Sequence, residues 1–125
     1  MNTLKNSIRL IGRLGMSPIV KSTATGSKLA IMRLATQQFT KSKEGEWVEQ
    51  VDWHNLIVWG ALVRSVELSC TKGTQVLIEG ALTYRDFVDK DGNKRINTEI
   101  RVRELQVVAK PKEQGHADQI KNVKD

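Results

Sequence analysis

Apolar and polar residues alternate at a two-residue period through most of this chain, and the period shifts to three and four only once. Alternation of that kind is the mark of β-strands with one face inward, and a single break in it admits one helix. Ile8, Leu10 and Gly12 alternate with Arg9, Ile11 and Arg13 before Gly15 and Pro18 interrupt, and "VKST" resumes the strand up to the turn signal Thr25-Gly26-Ser27. Leu29 to Phe39 carries Leu29, Ile31 and Arg33 on one face and Ala30, Met32 and Leu34 on the other. A polar segment with Gly45 then suits a hairpin, with Trp47 to Trp59 as the return strand. In "ALVRSVELSCTKG", residues 61–73, Leu62, Val63, Val66 and Cys70 fall at helical spacing, with Gly73 placed to stop the helix. Alternation returns in "TQVLIEGALTYRDF", turns at Asp89 to Gly92, and continues in "KRINTEIRVRELQVVA".

Five strand regions with one short helix between the third and fourth is the layout of an OB-fold, a five-stranded, partly open Greek-key barrel of the all-β class. Other small β-barrels fit the same order. Residues 1–109 form the expected domain, since from Lys110 onward "KPKEQGHADQIKNVKD" loses periodicity and reads as a short flexible C-terminal tail, 110–125. Ile120 and Val123 are its only sizeable apolar residues besides Ala117. At 125 residues the chain is long enough for one core.

Several classes of function are disfavoured. No apolar run is long enough to span a membrane, and "MNTLKNSIRLIGRLG" alternates from the start, unlike a secretory signal, so a cytoplasmic location is expected. Cys70 is the single cysteine, which excludes an internal disulfide and a cysteine cluster for zinc, and it is expected to be an inert thiol. Neither a phosphate-cradling Gly-rich loop nor a zinc-protease or serine-hydrolase motif is present; no catalytic residues, metal or cofactor are expected. Asp52 beside His54 resembles a base and its orienter. Both share a strand face with Leu56 and Val58, so a structural histidine is the better reading.

Charge and aromatic placement point elsewhere. Twenty Lys and Arg against fourteen Asp and Glu give +6, which favours an anionic partner. All six aromatic residues fall between Phe39 and Phe87, and Trp47, Trp53 and Trp59 share one parity of their strand. If Leu56 and Val58 face inward, Trp53 and Trp59 face outward and need a partner to cover them: a protein, or single-stranded nucleic acid whose bases stack at about 1–3 kcal/mol each. The basic residues favour the second. Lys41 and Lys43 lie in the hairpin beside the aromatic strand, Lys72 precedes the fourth strand region, Arg85 adjoins Phe87, and Lys94 and Arg95 follow the Asp-Gly turn.

The segments "LIGRLGMSPIV", "LATQQF", "GEWVEQVDWHNLIVWG" and "KGTQVLIEGALTYRDFVDKDGNKRINTEI" resemble, in order and spacing, the bacterial-type single-stranded DNA-binding proteins over residues 6 to 108. The resemblance implies an OB-fold that assembles as a homotetramer, sits with the nucleoid and coats single-stranded DNA during replication, recombination and repair, with little sequence preference. It implies stacking on Trp53, Trp59 and Phe87, and basic side chains near phosphate at Lys72, Arg85 and Arg95. Departures from the family pattern are equally specific. The usual aromatic after "LAT" is Thr40, with the ring one place earlier at Phe39, on the other strand face unless a bulge or loop shifts it; Trp47 is then the substitute. Ala61 and Asp86 stand where a basic residue is common. The acidic tip through which family members recruit repair and replication proteins is absent, and the tail carries +1, so recruitment by that route is not expected. An OB-fold adaptor whose aromatic face meets protein is the alternative reading.

Overall fold

A computed structural model describes residues 4–112. Six strands and one helix follow in the order β1 (Ile8–Leu14), β2 (Ile19–Ser22), β3 (Lys28–Lys41), β4 (Trp47–Trp59), α1 (Leu62–Ser69), β5 (Gln75–Val88) and β6 (Lys94–Ala109). β1 and β2 are the two halves of the first strand region, parted at Gly15 to Pro18, so the sequence-based count of five regions holds. The tail from 113 onward, with His116, Ala117, Ile120 and Val123, lies outside the described residues.

Strand neighbours run β1-β5-β6-β4-β3-β2, and β1 also pairs with β3 at Arg13↔Ala35 and Leu14↔Leu34, which closes the sheet on itself. All pairings are antiparallel except a short parallel contact of β4 with β6, Leu56↔Ile100 and Ile57↔Arg101. This is a mostly β, five-region barrel with one short helix, as an OB-fold requires. The long hairpins β3–β4 and β5–β6 run past the barrel; Gly45 and Gly92, with φ of 83° and 82°, make their turns in a conformation only glycine adopts without strain.

The alternation that defines the strands also builds the core. Ala30, Met32 and Leu34 of β3, Leu56 and Val58 of β4, Val76 and Ile78 of β5, and Ile100 and Val102 of β6 are buried together. α1 is only eight residues, too short to hold its shape alone; it persists because Val63 and Val66 dock against β3 and β4, adding their burial to the barrel end. Cys70 follows it into the core, where burial pushes the thiol above its usual range and away from reactivity. Gly12 and Gly80 sit where a side chain would overlap the backbone of Ala35 and Arg101, so neighbouring strands approach closely there.

Three features depart from plain alternation, the first a register shift that leaves Val108 unpaired between Gln75↔Ala109 and Val76↔Val107. β6 carries one residue more than β5 between Glu79↔Glu104 and Gly80↔Val102, a bulge that leaves Arg103 unpaired in the ladder. Glu99, on the polar parity of β6, is buried rather than solvated.

Candidate nucleic-acid interface

The β3–β4 ladder is regular from Leu29↔Trp59 to Lys41↔Trp47, and directly opposed residues share a face. Trp47, Trp53 and Trp59 therefore stand on one surface with Ile31, Arg33, Ala35 and Lys41. Leu56 and Val58 point inward, so this surface is the outer one, as the parity argument required. Trp53 is 50% exposed and Trp47 67%, while Trp59 is half-buried. Phe39, 61% exposed, pairs with Glu49 in the same register, so it shares this face without any bulge. The one-residue displacement from the family position does not turn it away, because the return strand places its tryptophans at odd positions too.

His54 lies on the inner parity, and its Nε2 is 2.9 Å from Thr36 Oγ1 in a part-buried contact. That satisfied ring fits the structural role expected for it. Among the described residues no group of three or more His, Cys, Asp or Glu is placed to hold a metal, and no helix is long and apolar enough to cross a membrane.

Each outward tryptophan has a cation against its ring. Arg33 Cζ is 4.9 Å from the Trp53 ring centre, Lys41 Nζ 5.5 Å from Trp47, and Arg101 Cζ 5.7 Å from Trp59. Exposed pairs of this geometry contribute about 0.5–1 kcal/mol, enough to bias a ring's orientation. Trp53 is further fixed by Gly15, where any side chain would overlap the Cζ3–Cη2 edge of the ring. Gly15 has no positive φ, so its backbone does not demand glycine; the ring does. Sequence reasoning did not single out Arg33 or Arg101, because only the register shows which ring each one meets.

The parallel contact at Ile57↔Arg101 carries the outer face from β4 across to β6 and β5. Phe87, 41% exposed, pairs with Arg95, and Arg85 pairs with Asn97, all on the outward parity. A groove of about 560 Å³ lies between Trp59, Ile31 and Lys21 on one side and Arg85 and Asn97 on the other. The charges here differ from the sequence expectation. Arg85 Nη2 donates to Glu99 Oε2 at 2.8 Å, and Arg95 Nε to Asp89 Oδ2 at 2.9 Å. The Glu99 hydrogen bond and charge raise the Arg85 pKa further, and the Arg95 contact, with the Asn93 amide, holds Asp89 below the usual carboxylate range. Lys43 is exposed at the β3–β4 turn. Lys72 lies off the sheet, on the α1–β5 turn whose backbone amide donates to Ser17 Oγ at 3.2 Å, two residues past the glycine that Trp53 abuts.

An OB-type barrel whose outer face carries a row of rings, its three tryptophans each with a cation over the ring, has the fold and surface of an oligonucleotide-binding protein. Residues 5–108 match the single-strand binding protein family, and the chain belongs to that family, whose members are DNA-binding proteins rather than enzymes. The chain is 37% identical over 106 residues to single-stranded DNA-binding protein 1 of Xylella fastidiosa, covering 84% of this chain and 78% of that protein. Single-stranded DNA-binding protein 1 of Chlorobaculum tepidum is 36% identical over 104 residues, and there the match spans 82% of this chain and 64% of the relative's length. In three dimensions the chain is similar to a Plasmodium falciparum SSB in complex with ssDNA, with a TM-score of 0.76 and 29% identity, covering 82% of this chain and 94% of that one.

Proposed function

We propose that this chain coats and protects single-stranded DNA with little sequence preference, its bases stacking on Trp53, Trp59 and Phe87 and the row extended by Trp47 and Phe39. The observation that carries this reading is the regular β3–β4 register, which sets Trp47, Trp53, Trp59 and Phe39 on one outward face. Stacking is tolerant of sequence because every base offers a flat π-face, and positive side chains accompany the phosphates along the outer face, Lys43 and Lys72 at its turns, while Arg85 and Arg95 flank Phe87. Coating of this kind serves replication, recombination and repair in the cytoplasm, at the nucleoid. Residues 1–109 act as the binding unit and 110–125 as an appended tail.

Anisotropy of a labelled oligo-thymidine, titrated with protein against duplex and RNA competitors, tests the reading. Binding that resists duplex competitor and weakens in Trp53→Ala supports it; no affinity for the oligomer favours the adaptor role instead. A homotetramer is part of the same proposal. Its support is the β1 edge, which pairs β3 only at Arg13 and Leu14 and is open before them, together with Tyr84, Val88 and Ile96 exposed on the other face of the β5–β6 hairpin. Light scattering at several concentrations gives the state directly; a monomeric mass throughout removes this part.

A further inference from the structure

The cations of the outer face fall into two chemically different sets. Arg85 and Arg95 are each bonded to a carboxylate, whereas Arg33, Lys41 and Arg101 enter none of the ion pairs among the described residues and lie against tryptophan rings. We propose that the phosphate contacts of the bound strand are made chiefly by Arg33, Lys41 and Arg101 rather than by Arg85 and Arg95. The inference rests on the stacking reading above and assigns the charges that accompany it.

Carboxylate and phosphate compete for the same arginine. The Glu99 side chain is 11% exposed, and its Oε2 accepts from both Arg85 and Asn97 at 2.8 Å. A phosphate that took Arg85 away would strand a largely buried carboxylate, a costly state, and a phosphate that shared Arg85 would meet a pair with no net charge. Asp89 is locked in its turn as well, its Oδ1 accepting from the amides of Asp91 and Asn93 while Oδ2 holds Arg95. The ring-bound cations carry no such partner. A guanidinium or ammonium over one face of a ring keeps its N–H groups free for an acceptor at its edge, and a base stacked on the ring's other face brings its own phosphate within reach of that cation. Ring and cation thus form a repeating unit, three times along the outer face.

Counterion release separates the two sets. The full chain is titrated with labelled oligo-thymidine across a salt series, and the slope of log K against log salt is read for each variant. Each of Arg33→Gln, Lys41→Gln and Arg101→Gln is expected to reduce the magnitude of the slope by about 0.7, the value for one phosphate contact on a single strand. The charge-neutral pairs Arg85→Gln/Glu99→Gln and Arg95→Gln/Asp89→Asn are expected to leave it unchanged. Arg33→Lys and Arg101→Lys are expected to keep the wild-type slope, which distinguishes lost charge from disturbed folding. Unchanged slopes in the ring-cation variants overturn the proposal, as does an equal or larger reduction in the paired variants. Failure of the stacking reading is visible separately, as wild-type protein that does not bind the oligomer or a Trp53→Ala variant that binds as tightly as wild type.

Discussion

The two long hairpins extend from the same barrel and use the same strand chemistry, but they present different surfaces. β3–β4 carries four of the six aromatic residues on its outer face, with Lys41 and Arg33 laid against two of the rings. β5–β6 offers Phe87 on that side, and toward its tip the outward Arg85 and Arg95 are bonded to acids, while Arg101, nearer the barrel, lies over Trp59. Both hairpins are formally neutral, but the first is a stacking platform whose outward cations lie over rings, and the second is an arm whose outward arginines are tied into ion pairs. Strand periodicity alone does not make an interface. What matters is whether the cations on it have already found their partners inside the chain.

The contrast yields a graded set of outcomes in affinity for oligo-thymidine. Trp53→Ala is expected to cost the most, about 1–3 kcal/mol, or roughly 5- to 150-fold. Gly15→Ala leaves the ring in place but pushes its edge aside; because the atoms in the way belong to the far end of a side chain, the fold adjusts at the ring. A loss of about 1 kcal/mol, the lower end of the stacking range, is expected, with the melting transition little moved. Phe87→Ala, on the ion-paired hairpin, is expected to cost less than either, below about 1 kcal/mol. If it matches Trp53→Ala, the two hairpins contribute equally and the comparison fails.

The smallest effect concerns stability rather than binding. Asp89 has its carboxyl held below its ordinary value by Arg95 and the Asn93 amide, and Glu79 by Arg103 and Ser7. The unfolded chain binds these protons first, so their stabilisation is complete above the ordinary carboxylate range and is lost as pH falls through the lowered values. Urea melts at descending acid pH are expected to show a weaker dependence in Asp89→Asn than in wild type. An identical dependence means the β5–β6 ion pair contributes nothing to the fold.

Much of this arrangement was readable in the residues. β4 runs from Trp47 to Trp59 as its alternation indicated, and inward Leu56 and Val58 forced Trp53 and Trp59 outward. Helical spacing at Val63 and Val66 marked the one helix because those two positions are the ones it buries. Pairing between strands was less visible. The face of Phe39 depends on its register with Glu49, and the partners of Arg33 and Arg101 depend on diagonals across the sheet, which no single strand's pattern reveals. The bulge at Arg103 leaves only a slight trace, two consecutive polar residues, Arg103 and Glu104, between Val102 and Leu105. Glu99 stands on the polar parity of β6, and parity says nothing of Arg85, which meets its carboxylate on the diagonal of the ladder.

The central claim is that the outward tryptophans meet unpaired bases, and intrinsic emission reads it directly. Titrating the wild-type chain with thymidine oligomers at low ionic strength is expected to quench tryptophan fluorescence saturably, with Trp53→Phe losing the largest share and added salt reversing the change. Emission that stays constant through the titration, while the oligomer is shown by its own label to be bound, would place the strand elsewhere on the barrel and contradict the account.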